Sequence, residues 1–231
     1  MDLRLDEVAS LLHVSEHTVQ RWVENDNLPS YQLKGELRFS RSEIEGWILA
    51  QNSKKDDLLF NDTDQKDAAW QTYSLYRALH RGDVVLIESH TKEGAIDEVI
   101  CGAIQDPTVD KSMMIELLID RERLMTTALG SEVAIPHTRE SLIKGPHDIV
   151  VIALPKKPID WDALDQKPVK VLFFLMACDD KRHLNLLAKI AHLTSNKAMI
   201  DRIKQGINKA SLLELIRQWE HSLSQKTATN V

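Results

Sequence analysis

Cysteine is nearly absent from this 231-residue chain: Cys101 and Cys178 are the two present, 77 positions apart. They can form neither a disulfide framework nor a CxxC metal pair, and such usage fits a reducing compartment, so a cytoplasmic location is expected. Long apolar runs are also missing. None approaches 18 residues, and the opening MDLRLDEVASLL carries acids where a signal peptide would carry a basic region, so neither secretion nor a membrane segment is expected. An excess of positive charge is lacking too. Against 29 Lys and Arg stand 35 Asp and Glu, a net of −6, which offers no bulk attraction to nucleic acid or anionic lipid. HExxH, GxSxG, P-loop and GxGxxG patterns do not occur, and no histidine or cysteine pair has metal-ligand spacing. Most hydrolase, NTPase and dehydrogenase chemistries are thereby set aside, and neither a metal nor another cofactor is expected.

What is present is the composition of a globular protein, 43% hydrophobic and 28% charged, long enough for two modest domains. Composition shifts once, at residues 52–66 (NSKKDDLLFNDTDQK), which reads as a linker. Before it, residues 1–51 read as helix, tight turn, helix, hairpin, helix. Asp6 is expected to cap a first helix whose Val8, Leu11 and Leu12 share a face, and Ser15 a second carrying Val19, Trp22 and Val23. Leu28-Pro29 should end that second helix, Leu33–Phe39 should form a hairpin about Lys34-Gly35, and Ser42 should open a third helix carrying Ile44, Trp47 and Ile48. Residues 67–81 read as a connecting helix offering Trp70, Tyr73 and Leu75. Residues 82–221 alternate strand-like runs with helical ones, and the tail 222–231 reads as disordered. The expected class is a small, mostly α winged helix-turn-helix followed by an α/β domain with a mixed sheet flanked by helices.

Of the nine histidines, His137 is set apart by its context, EVAIPHTR (Glu132–Arg139). A strand would deliver the imidazole to a sheet edge, with Pro136 holding the backbone so that the ring is presented and not buried. Backbone N–H groups of Ala128–Glu132 would be available to a phosphoryl oxygen. From the residues alone, an ordinary loop histidine is the favoured reading of His137.

The stretch LRLDEVASLLHVSEHTVQRWVENDNLPSYQLKGELRFSRSEIEGWI resembles the excisionase/MerR-type winged helix-turn-helix family. His13 stands where that family usually has Gly. The resemblance implies DNA contact through His17, Thr18, Gln20 and Arg21 on the second helix, with Lys34, Arg38 and Arg41 around the wing. Residues 1–52 carry a net −4, which leaves protein recognition as the other role for the module. The segment DRERLMTTALGSEVAIPHTR (Asp120–Arg139), followed by PIDWDALDQKPVKVLFFL (Pro158–Leu175) and HLNLLAKIAHL (His183–Leu193), resembles enzyme IIA domains of the phosphotransferase system, of the fructose, mannitol and nitrogen-regulatory class. That resemblance implies a phosphohistidine at His137, a second active-site histidine at His183, an arginine beside the pocket at Arg121, and an HPr-like phosphocarrier, or its nitrogen-branch counterpart, as donor. It implies a regulatory carrier, with a silent domain in a DNA- or protein-binding regulator and a sugar-transporter component as the alternatives. The chain departs from the family at Thr126–Glu132, where two glycines are replaced and Glu132 would set a negative charge near the incoming dianion, and at Thr138, where Gly commonly follows the histidine.

Overall fold

The computed structural model describes residues 2–12, 15–25, 28–51, 74–105, 107, 109–138 and 147–229. The N-terminal module runs β1 (Asp2–Arg4), α1 (Leu5–Leu12), α2 (Glu16–Glu24), β2 (Tyr31–Leu33), β3 (Glu36–Ser40) and α3 (Arg41–Gln51). Ser15 caps α2, accepting from the Thr18 N–H at 3.1 Å. Asp6 does not cap α1. That helix starts one residue earlier, and Glu7 reaches back to the Arg4 N–H at 2.7 Å, the carboxylate half of a capping box. α2 stops at Glu24, before Leu28-Pro29, with the Asn25 N–H donating to Arg21 O. Lys34 (φ 54°) and Gly35 (φ 84°) form the expected two-residue hairpin turn. The unexpected strand β1 pairs with β3, giving the order β1-β3-β2. Val8, Leu12, Val19, Trp22, Leu28, Phe39, Ile44, Trp47 and Ile48 are buried together. His13, Trp70, Tyr73 and the linker 52–66 lie outside the described residues, as does the side chain of Leu11.

The larger domain contains α4 (Ser74–Arg81), β4 (Val84–Ile87), α5 (Lys92–Ala103), α6 (Lys111–Leu124), β5 (Ala128–Gly130), β6 (Val133–Ala134), β7 (Ile149–Pro155), β8 (Val171–Met176), α7 (Asp180–Ser195), α8 (Lys197–Lys204) and α9 (Lys209–Thr229). Its five strands follow the order β4-β7-β8-β6-β5, with β4–β7 and β8–β6 parallel and the other two pairs antiparallel. Alternation along β8 sends Val171, Phe173 and Leu175 to one face and Leu172, Phe174 and Met176 to the other. The second face is covered by α5 and α6 through Ile96, Val99, Ile100, Met114 and Leu118. The first meets α4, α7, α8 and α9. Gly82 is required where the chain leaves α4, because a Cβ there would stand 1.8 Å from Val150 O.

The expected disordered tail is helical through Thr229. The run after His221 contains no Gly or Pro, and each residue added to a formed helix gains one backbone hydrogen bond. The two modules also touch. α1 and α3 pack against α7, and one apolar cluster continues from Val8, Leu12, Ile44 and Ile48 into Leu184 and Leu187.

Candidate functional site

His137 follows β6 and bridges to Leu175 of β8 in parallel register, with Leu175 N–H donating to Pro136 O at 2.9 Å. β8 leads through Cys178 into α7, which Asp179 caps by accepting from the Arg182 N–H at 2.8 Å. His183 is therefore on the first turn of α7, and both imidazoles sit beyond the carboxyl ends of neighbouring parallel strands, where α/β sheets place their ligands. Their ring centroids are 5.2 Å apart.

The tautomer of His137 follows from its partner. Nδ1 lies 2.6 Å from the Ile135 carbonyl, which can only accept, so Nδ1 carries the proton and the lone pair is on Nε2. His183 is held neutral: burial pushes its pKa well below 6.5, and His137, Arg41 and Arg121 push it the same way. Arg121 joins the site in this electrostatic sense. It is buried in the last turn of α6, and its Nη1 donates to Met125 O at 2.9 Å. Its neighbour Glu122 ties the end of α6 to the next strand by accepting from the Thr127 N–H at 2.9 Å and hydroxyl at 2.6 Å.

Two expectations about this site need correction. His137 is not presented to solvent; it is 0% exposed and His183 only 4%. Cover comes at least in part from the N-terminal module: Oε1 of Glu45, on α3, stands 4.0 Å from His183 Nε2, and Arg41 Nη1 bonds Asp180 Oδ1 at 2.7 Å. The segment Ala128–Glu132 is not a phosphate-binding loop beside the histidine. It forms β5, whose Ala128 lies opposite Ala134 of β6, and a tight turn that leaves Glu132 about 16 Å of extended chain from His137. There the Ser131 N–H donates to Asp165 at 3.0 Å and the Ala128 N–H to Thr126 Oγ1 at 3.2 Å. Glu132 faces Lys170 at 2.5 Å and Lys204 at 2.6 Å, and these bonds pull its pKa down to about 2. Its charge is matched locally and lies away from the imidazoles. The departure from glycine has a backbone cost instead, since Ser131 (φ 53°) and Glu132 (φ 69°) occupy the left-handed region. Thr138 is buried.

The residues expected at a DNA interface divide. His17, Gln20, Arg21 and Lys34 are exposed. Thr18 is buried, its Oγ1 sharing a hydrogen bond with Ser15 Oγ at 2.9 Å. Arg38 pairs with Glu36 at 2.7 Å, and Arg41 is turned toward Glu45 and Asp180. Glu45, Asp180 and Glu122 escaped the sequence reading. Arg41 and Glu45 had a signal in their i,i+4 spacing on one helix, and Glu122 in its place beside Arg121. Nothing local joins Arg41 to Asp180, 139 residues on.

Fold and site together define a histidine-bearing α/β domain of the IIA type, joined to a winged helix-turn-helix. The chain belongs to the phosphoenolpyruvate-dependent sugar phosphotransferase system EIIA 2 family, whose model matches residues 79–219, and a helix-turn-helix domain model matches residues 3–52. A nitrogen regulatory protein of Pseudomonas aeruginosa is 33% identical over 112 residues, covering 48% of this chain and 71% of that protein. A fructose-specific EIIA component of Haloferax volcanii is 28% identical over 131 residues, covering 55% and 84%. Among solved structures, the nitrogen regulatory protein IIA-Ntr of Neisseria meningitidis superposes with a TM-score of 0.52 at 25% identity, over 61% of this chain and 92% of that one.

Proposed function

We propose that the chain is a regulatory phosphocarrier: His137 Nε2 accepts a phosphoryl group from an HPr-like protein or its nitrogen-branch counterpart, and the N-terminal module conveys the resulting state to DNA. The observation that carries this reading is the pairing of the two imidazoles at the ends of β6 and β8, with the His137 lone pair directed to Nε2 by Ile135 O. In the transfer, the N–P bond of the donor's phosphohistidine breaks and its electron pair returns to the donor imidazole, while the Nε2 lone pair forms the new N–P bond. The proton on Nδ1 stays where it is. The transition state is loose, with charge on the equatorial oxygens, so the protein's task is positioning and charge stabilisation. A neutral His183 supplies one N–H to those oxygens, and the permanently charged Arg121 supplies the field. The likeness to a fructose-specific EIIA component and to nitrogen regulatory proteins supports the class of chemistry. Exposed His17, Gln20, Arg21 and Lys34 support a modest DNA interface.

Incubation with phosphoenolpyruvate, enzyme I and HPr tests the reading. Acid-labile label is expected on the wild type and none on His137→Ala; label that persists in the variant removes His137 from the chemistry. Burial of His137 favours one second reading, a domain that has kept the fold and lost the transfer. Absence of label on every variant would select it. For the module, salt-sensitive retardation of a specific DNA fragment is expected, weakened by Arg21→Ala.

A further inference from the structure

Glu45 brings a buried carboxylate from the N-terminal module up to the imidazole pair. The residue is 1% exposed, and its Oε1 lies 4.0 Å from His183 Nε2 and 3.2 Å from Arg41 Nε. Arg41 in turn grips Asp180 on the first turn of α7. Around these polar contacts, α1 and α3 lie along α7 with a continuous apolar cluster between them. The imidazole pair is thus closed, and no second protein's phosphohistidine can reach it, because in-line transfer needs both nitrogens within a few ångströms of one phosphorus. The strands beneath the pair are locked by ladder hydrogen bonds and cannot move aside. The elements above it belong to a separate module, joined through residues 52–73 of the sequence.

We propose that the N-terminal module is the reversible cover of the histidine site, with Glu45 occupying the position a phosphoryl group on His137 would need, so that docking of the module and phosphorylation of His137 exclude each other. This rests on the carrier reading above. A phosphoryl dianion on Nε2 would face the Glu45 carboxylate across a few ångströms of low-dielectric interior, and like charges so placed do not coexist. Undocking is the relief. It exposes the site to the donor, and it frees Arg41 from Asp180, returning a basic side chain to the end of the wing strand β3. Linkage makes the effect reciprocal: whatever holds the module away from α7 favours phosphorylation, and phosphorylation holds the module away.

The test uses the full-length chain, its Arg41→Ala and Glu45→Gln variants, and two readouts. Under the HPr assay, Arg41→Ala should label at least about fivefold faster than wild type, since one clasp of the docked state is gone. Hydrogen exchange should show α3 and α7 amides losing protection when the wild type is phosphorylated, and retaining more of it in phosphorylated Glu45→Gln, while unchanged protection in α2 of Arg41→Ala shows that the module is still folded. Equal labelling rates together with unaltered α3 protection after phosphorylation would overturn the proposal and leave the carrier reading in place. Diethyl pyrocarbonate separates the opposite failure, since its reaction with His137 needs access and no phosphoryl transfer. If no variant is labelled, the carrier reading and mutual exclusion fall together. Faster reaction of His137 in Arg41→Ala than in wild type would then still establish the cover, and equal reaction would remove that as well.

Discussion

Among the polar side chains that helix α7 buries, His183 and Lys189 lie little more than a turn and a half apart and are treated in opposite ways. Lys189 is satisfied: Nζ donates to Ser74 Oγ at 2.8 Å and to Glu220 Oε1 at 2.6 Å, and the two oxygens of Glu220 also accept from the N–H groups of Leu75 and Tyr76 at 3.1 and 2.9 Å. That network fastens α4, α7 and α9 into one body. His183 is buried to a similar degree, yet its Nε2 makes no hydrogen bond among the described residues and has a carboxylate at 4.0 Å. Buried polar groups in folded proteins are nearly always paired, so the orphaned Nε2 beside a second imidazole is the contrast that matters here. The difference separates a cluster that holds helices together from the one proposed to take a phosphoryl group, although both are buried and polar on the same helix.

The comparison breaks most visibly at Glu220. Glu220→Ala strands the Lys189 ammonium and two N–H groups, and urea unfolding should show a loss of about 3–5 kcal/mol; a loss below about 1 kcal/mol would deny the network its structural role. His183→Leu should do the reverse. Labelling by phospho-HPr should slow about 100-fold, roughly 2.7 kcal/mol in the barrier, while unfolding free energy shifts by less than about 1 kcal/mol. Stability should also follow the protonation of His183. Burial depresses its folded pKa below 6.5, so the unfolded chain binds the proton first, and stability present above pH 6.5 declines as pH falls toward the folded value. The decline between pH 7.5 and 5.5 should be shallower in His183→Leu, and identical slopes would remove the buried neutral imidazole. The smallest effect is at the far end of β6. Glu132→Ala loses two partly exposed ion pairs and keeps a left-handed backbone, costing about 1 kcal/mol, whereas Glu132→Gly relieves the backbone and should be near neutral. The Glu132 contribution is present above pH 4.5 and fades as pH falls toward 2. Neither substitution should change the labelling rate by more than about twofold, because the acid is some 16 Å from His137.

Much of this architecture was legible because periodicity and caps are local. Ser15 accepts from the N–H three residues on, as its place before a helical run implies, and the apolar run Val171–Met176 forms a strand. His137 and His183 were singled out through family likeness, and the structure brings the two rings to one place. Glu132 shows where linear reasoning failed: five residues before His137 reads as adjacent, but five residues of extended chain separate two ends of a sheet. Lys189 was unreadable as a buried cation, because its partners come from residues 74 and 220. The cover was unreadable for the same reason. Glu45 and Arg41 form an ordinary helix pair until Asp180 and His183 are folded against them.

Locating the phosphoryl group on the full-length chain tests the central claim most directly. After incubation with the HPr donor system, peptide mapping by mass spectrometry combined with nitrogen NMR of the labelled imidazole should find it on His137, bonded to Nε2, with Nδ1 still protonated. A phosphoryl group on His183, on Nδ1 of His137, or on neither histidine would contradict the account.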